Sequence, residues 1–532
     1  VESNEKQTNA LTESQLWEVE KVVKKGQLLR IVGLLAAGLL AVGLSMTAEG
    51  PKYGGTLSIG ITQQVLNLDP HVATAFSSWR VMELIYEGLL RFDKQLQLQP
   101  ALAESWTVSP NGIEYTFKLR RGAKFHDGSP LTAEDVKYSF ERVLNPRTSS
   151  PLRSRVSAIK AIEILSPTEV KFVLSKPFAP FLEVLPLIYI VPKNFEEKVG
   201  DPKVKTLGTG PFKLAEFGPD YVRLVHNGDY WDEGLPYLDE VIIRQIPDPS
   251  TLRSALRTGQ LDLIFGFGVD VTTAGAFAGL PGFQVISVPG LNYSLLGIQN
   301  TRPPFNDVRV RQAISLAVNR RQIAEIVYFG RAAVAGPIPP AVSKWEPLSP
   351  SELPNYTRDL EKAKALLAEA GVSNLSFKIM PIPTVPETIQ IAQVIQAQLK
   401  EIGVTAEIES VDFATFLQRW RQSEFDTFVS LNSGATDPDI HLYRHLHTNG
   451  STNVFKFSDK VVDELLEKGR TTIDFGARKE IYRKLQIRIA EQIPFLFLTY
   501  PEIFAVMKAD VKGFVLLPTQ SIVLLRETWL DR

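Results

Sequence analysis

Apolar and polar positions alternate strictly along Thr56 to Ile61, which predicts a first strand. From Ser77 to Leu90 the spacing changes to that of an amphipathic helix, with Val81, Leu84, Ile85 and Leu89 on one face. Short alternating runs follow from Leu96. Tyr115 to Leu119 and Val170 to Leu174 read as half-buried strands. Between them a turn at His126-Asp127-Gly128 leads to a capping signal at Thr132, with Glu134 and Asp135 in the first helical turn. This β-rich stretch, 88–180, has the character of a subdomain inserted into a larger unit. Strands dominate again from Gly208 to Ile246, followed by a helix carrying Leu252, Leu256 and Leu261. Beyond it helices alternate with strands. Helices are predicted over 307–329, 359–370 (closed by Gly371) and 386–402, with a strand over 404–408. That alternation predicts α/β layers around a largely parallel sheet. Pro and Gly are scattered between elements and form no long linker, so crossing strands are expected to join the lobes.

One segment does not fit a globular pattern. Lys21, Lys24, Lys25 and Arg30 precede an uncharged apolar run from Ile31 to Ala48. Basic flank, apolar stretch and small residues are the order of an export signal. The run also has the length of a membrane-spanning helix. Two expectations follow: a cleaved signal or an uncleaved anchor at 31–48, with 1–30 a polar cytoplasmic segment in either case. The rest of the chain is then exported, to the periplasm or the outer face of the membrane.

Composition narrows the function classes. With 44% hydrophobic and 22% charged residues over 532 positions, the chain is globular and long enough for several units. The formal net charge of -1 supplies no field to attract nucleic acid. The absence of cysteine excludes disulfides, thiolate metal sites and a cysteine nucleophile.

Catalytic signatures are scarce. No Gly-x-Ser-x-Gly elbow, phosphate loop or dinucleotide fingerprint occurs. Gly208-Thr209-Gly210 is followed by Pro211-Phe212 and reads as a structural turn, its glycines supplying unusual backbone angles. Asp437 and Asp439 are either an acid/base couple or turn and cap formers. His441 and His445 lie four residues apart, so on a helix they share a face able to grip a metal, with His447 turned elsewhere. The alternative is a solvated helix with Leu442 and Leu446 buried.

Several stretches carry a family resemblance. Leu68-Asp69-Pro70, Glu87-Gly88-Leu89, Pro100 to Trp106, Tyr115 to Arg120, Lys124 to Gly128 and Leu131 to Val136 resemble the opening of the family 5 extracellular solute-binding proteins. Gly208 to Phe212, Asp229-Tyr230-Trp231, Leu256 to Asp262, Pro304 to Ala313, Tyr482-x-x-Leu485-Gln486 and Ile493-Pro494 continue the series in order. These are receptors of peptide, nickel and related ABC importers. The resemblance implies a type II periplasmic-binding-protein fold of two lobes with an inserted third subdomain. Lobe I would comprise 54–87, 181–270 and 495–532, the insert 88–180, and lobe II 271–494. A monomer would close around its solute and present it to a membrane permease, without cofactor or catalysis. Arg309 and Arg311 would serve packing and ion pairs at a helix start.

In peptide-binding relatives an acidic residue near the segment here reading Leu431 to Asp437 holds the ligand's amino group. This chain has Asn432, Ser433, Gly434 and Ala435 there, and a buried ammonium without counter-charge is costly. A peptide-like ligand therefore competes with an oligosaccharide, whose ring faces stack on aromatic side chains. Tyr293, Phe413 and Trp420, with Asn432, Ser433 and Gly434, are the expected ligand contacts. A nickel-type receptor using His441 and His445 and a secreted hydrolase are the alternatives.

Overall fold

The computed structural model describes residues 50–266 and 268–532. The export or anchor segment at 31–48 lies outside the described residues. Among those described, no helix is long and apolar enough to cross a membrane.

A strand at Thr56–Ile61 lies between Glu240–Gln245 and Leu263–Phe265, parallel to both. Tyr221–His226 and Phe212–Phe217 extend this sheet antiparallel at one edge. At its far end Ser376–Pro381 runs parallel to Thr405–Ile408 and Thr427–Asn432. The two ends belong to one twelve-stranded sheet, and the fourteen-residue strand Phe495–Lys508 joins them. Its first residues, Phe495 to Thr499, pair with Tyr293–Ile298, and its last, from Glu502, pair with Phe283–Pro289. Chain segments 289–293 and 499–502 thus cross side by side between two lobes, tied by the Gly290 amide donating to the Pro501 carbonyl at 3.1 Å. The long strand serves both lobes, and Phe283–Pro289 pairs on the lobe I side of the crossing.

The expectation of a largely parallel sheet is corrected. Among the described residues parallel pairing is confined to the two trios around Thr56–Ile61 and Ser376–Pro381, and the sheet is mixed. Hairpin edges and the returning strand Phe495–Lys508 can pair only antiparallel to their neighbours.

The inserted β-rich stretch forms a separate four-stranded antiparallel sheet, ordered Ala103–Val108, Glu114–Leu119, Glu169–Leu174, Ile159–Ser166. The helix Ala133–Leu144 packs on it, and the Thr132 amide donates to Asp135 Oδ2 at 2.8 Å, as the capping signal implied. Phe117, Phe140 and Phe172 are buried in the same cluster as Leu57, Ile59 and Val81 of lobe I, so the insert shares that lobe's core. Lobe II has its own cluster around Ile314, Ile379 and Leu399, and a second around Tyr293, Phe428 and Tyr482 that also takes in Leu96 of the insert and Leu517 and Leu524 of the C-terminal segment.

Two helices differ from the periodicity. Phe76–Ile85 stops five residues before Leu90 because the Ile85 carbonyl is taken by the Gly210 amide at 2.8 Å, and Tyr86 turns extended. The expected helix 307–329 is two, Val308–Ala317 and Arg320–Tyr328. Val318 is extended, and Asn319 caps the second helix by accepting from the Gln322 amide at 3.1 Å. Leu261 is buried but lies beyond the end of its helix, Pro249–Arg257.

Candidate functional site

A cavity of about 260 Å³ lies where the lobes face each other. The lobe I side and the insert contribute Phe76, Phe92, Arg155, Glu183 and Gln520, and lobe II contributes Ser433, Gly434, Thr436, His441 and Arg444. Leu291 and Asn292, from the crossing, form its floor. A smaller apolar cavity, about 110 Å³, adjoins it through Phe92, Leu187 and Thr519 and is walled by Trp79, Tyr86 and Tyr189. Two larger depressions of about 610 Å³ each open around Asn319 and Arg358 and around Lys198 and Phe217. Neither draws on both lobes, so neither is made by their approach.

The lobe II wall begins where the strand Thr427–Asn432 ends. The chain passes Ser433 and Gly434 and enters the helix Pro438–Leu446. A Cβ on Gly434 would stand 2.3 Å from the Leu291 carbonyl oxygen, so only glycine lets this segment approach the crossing so closely. Asp437 caps the helix by accepting from the Asp439 amide at 2.9 Å. Its carboxylate also meets Arg478 through two bonds, at 2.8 and 3.0 Å, while Asp439 meets Arg470 at 3.0 and 2.9 Å. Each carboxylate is committed to its own guanidinium, which removes the acid/base couple.

His441 and His445 both lie on the buried face of this helix. His441 Nε2 is 3.1 Å from the Pro337 carbonyl, which can only accept, so that nitrogen carries the proton. His445 Nε2 is 3.4 Å from Asn432 Nδ2 and its Nδ1 is 3.0 Å from Thr452 Oγ1. Burial, above all, pushes both imidazoles down, to about 4 for His441 and about 3 for His445. Among the described residues no group of three or more potential ligands is placed to hold a metal. The solvated-helix alternative holds in its acidic cap at Asp437 and its buried Leu442 and Leu446, but the helix is not solvated around the histidines, since both rings are buried too.

Of the expected ligand contacts, Ser433 and Gly434 line the cavity and the others do not. Tyr293 is fully buried, its ring 4.9 Å from Phe497 and 5.8 Å from Tyr500, and burial raises its hydroxyl to about 12. Phe413 begins its helix exposed to solvent, and Trp420 packs against the lobe II core. Asn432 turns toward His445.

The residues missed by sequence reasoning are charged. Arg444 lies three positions after His441, on the next turn of the helix Pro438–Leu446, beside the two histidines that drew attention as metal ligands. Arg155, on the short helix Arg153–Val156 of the insert, gave no signal, because only the tertiary fold brings it to the cleft. Glu183 is bound to Lys344 of lobe II at 2.7 Å. Burial pushes its carboxyl up against the opposing pull of Lys344.

The fold and the cleft define a two-lobed binding protein. A model of the bacterial extracellular solute-binding proteins, family 5 (middle), matches residues 97–453. Heme-binding protein A of Haemophilus influenzae is 31% identical over 470 residues, covering 82% of this chain and 85% of that one. The dipeptide-binding protein of Escherichia coli is 29% identical, covering 92% and 97%. The crystal structure of the ABC transporter substrate-binding protein CtaP of Listeria monocytogenes superposes with a TM-score of 0.82 at 25% identity, covering 90% of this chain and all of that one. The chain belongs to family 5 of the bacterial extracellular solute-binding proteins, and it is a binding protein, not an enzyme.

Proposed function

We propose that this chain captures a peptide-like solute in the cavity between its lobes and delivers it, as a monomer, to the permease of an ABC importer. The observation that carries this reading is the cavity itself, whose opposite walls come from the two lobes and whose floor is their crossing. A ligand touching both walls binds the closed arrangement better than an open one and so shifts the population toward it. A permease that engages only the closed form then receives loaded receptor. Relatives named for heme and dipeptides support a solute receptor, and the dipeptide-binding protein covers the greater share of this chain. The oligosaccharide reading rested on stacking by Phe413, Trp420 and Tyr293, and none of the three lines the cavity.

On this reading lobe I comprises 54–87 and 181–289, and lobe II the chain from the crossing at 289–293 to 494, with 88–180 the insert. The pairing of Phe283–Pro289 and the packing of Ala274 and Phe277 against Leu252 and Leu256 support moving the expected boundary from 270 to the crossing. The strand Phe495–Lys508 is shared and the remainder to 532 returns to lobe I. Export is directed by 21–48, with 31–48 either cleaved or retained as the anchor, which sequencing the mature N-terminus distinguishes. The test of function is a thermal-shift series of di- to pentapeptides and of oligosaccharides, since a ligand of the native state raises the melting temperature. Peptides are expected to raise it. A rise with oligosaccharides alone, or with neither class, overturns the peptide-like reading.

A further inference from the structure

The charges that line the cleft do not balance. Arg155 reaches it from the insert and Arg444 from lobe II. Arg444 donates from one terminal nitrogen to the Ser433 carbonyl at 3.2 Å, but its Nε is buried without a partner. Among the described residues the Arg155 guanidinium has neither an ion pair nor a hydrogen bond, the residue's one bond being its backbone amide donating to the Leu152 carbonyl at 2.9 Å. Glu183 is, among the described residues, the one carboxylate on the cavity wall, and it is held by Lys344 at 2.7 Å. His441, with its proton on the nitrogen facing Pro337 and its pKa far below neutrality, adds no charge. Two guanidinium groups from opposite walls therefore face one cavity with no anion of the protein assigned to them.

Such an arrangement is unfavourable in an empty closed cleft. The two cations repel, and each has lost part of its hydration. Burial and the neighbouring Arg444 both act against the charge on Arg155. A planar group with two oxygens reverses the balance, because guanidinium forks donate to it in pairs and their mutual repulsion becomes shared attraction. Phe76, Phe92, Leu291 and Ile440, in the same wall, suit the carbon skeleton behind such a group.

We propose that Arg155 and Arg444 form a two-sided clamp for a carboxylate of the bound solute, so that this receptor takes organic carboxylates and closes on their negative charge. The proposal rests on the solute-receptor reading above and narrows its ligand class. The clamp also supplies a cause for closure, since one anion satisfies a cation on each lobe only when the lobes are together. A solute without a carboxylate leaves the two arginines opposed and gains less from closure.

The test is calorimetric binding of tri-alanine, of its C-terminal amide, and of a series of dicarboxylates of two to six carbons, to the wild type and to R155Q and R444Q. Tri-alanine or a dicarboxylate is expected to bind the wild type, with each variant weakening it about 30-fold or more. The amide is expected to bind weakly and to respond to neither variant. Thermal melting without ligand separates this role from a structural one: the ligand-free R155Q protein should melt no lower than the wild type, because a repulsion is removed. Tri-alanine and its amide binding equally would overturn the clamp while leaving a peptide receptor intact. Carboxylates that bind and respond to both variants, with no peptide binding, would support the clamp and end the peptide-like reading. Failure of every carboxylate to bind, or inorganic phosphate binding as tightly as the best carboxylate, would overturn the clamp.

Discussion

Lys344 Nζ lies 2.7 Å from Glu183 Oε1 and 3.1 Å from the Leu96 carbonyl, so a lobe II cation ends on the insert and the segment that follows it. Both side chains are about nine-tenths buried, at 10% and 11% exposure. The neighbouring contact of Arg470 over Phe178, with the Ala179 amide donating to the Arg470 carbonyl at 2.8 Å, joins the same two parts. The pair therefore acts on the relative position of the walls as well as on stability.

Removing the cation leaves a buried carboxylate without a partner. K344M is expected to lose about 3 kcal/mol of stability to urea at pH 7, and K344M/E183Q to recover most of it. Burial already places the folded-state Glu183 pKa above its ordinary value of 4.5, and loss of Lys344 raises it further. An acid with a raised folded pKa is penalised where it is ionised, at high pH, and relieved as pH falls toward the unfolded value. The gap between K344M and wild type should narrow from pH 7 to pH 5. A gap that widens would show that Glu183 is not the group left buried and unpaired.

His441 gives a pH dependence of opposite sign. Its folded pKa is held down at about 4 by burial, against an ordinary value of 6.5. The stability it contributes is complete above pH 6.5 and is lost as pH falls through that interval toward 4. H441Q retains a donor for the Pro337 carbonyl and cannot titrate. Its stability should decline less steeply than wild type between pH 6.5 and 4, measured by urea unfolding across that range. Identical slopes would assign the acid response to His71 or His126, which burial also lowers to about 4, or to His445, lowered to about 3.

Much of the framework was legible because its landmarks meet. Glu87 accepts from Tyr230 at 2.8 Å, Trp231 Nε1 at 2.8 Å and Thr209 Oγ1 at 3.0 Å, so three motifs far apart in sequence form one buried node. Asp69, from another motif, takes Arg142 through bonds of 2.9 and 2.7 Å. Arg309 pairs with Asp307 as expected, but Arg311 instead donates to the carbonyls of Phe305, Gln492 and Ile493. The helix ends at Ile85 and Val318 were not legible, since tertiary hydrogen bonding and a cap overrode continuous periodicity. The site was least legible. Aromatic residues were favoured as ligand contacts from the resemblance, whereas the cavity's distinguishing groups are arginines placed by folding.

Gly208 shows why a turn motif can be right in outcome and wrong in cause. Its backbone angles are open to any residue, but a Cβ there would lie 2.0 Å from the Ile85 carbonyl oxygen. The constraint is close approach of two backbones, and backbone cannot yield as a flexible side chain does. G208A is expected to cost about 3 kcal/mol or more, while G228A, with nothing within 4 Å of its added Cβ, should stay within about 0.5 kcal/mol of wild type. Equal effects in urea unfolding would contradict this account.

Phe413 and Trp420 separate the peptide-like reading from the oligosaccharide one most directly. Phe413 is 48% exposed at the start of its helix, and Trp420 packs on the lobe II core. Neither borders the cavity. F413A should leave solute affinity within about twofold of wild type and stability nearly unchanged, as expected for an exposed side chain away from a site. W420F should lower stability by about 1 kcal/mol through lost packing, again with affinity unchanged. Stacking on a sugar ring predicts the reverse, since removing an aromatic platform weakens binding while barely touching the fold. A loss of affinity exceeding tenfold in F413A, without loss of stability, would return the aromatic surface to the binding site.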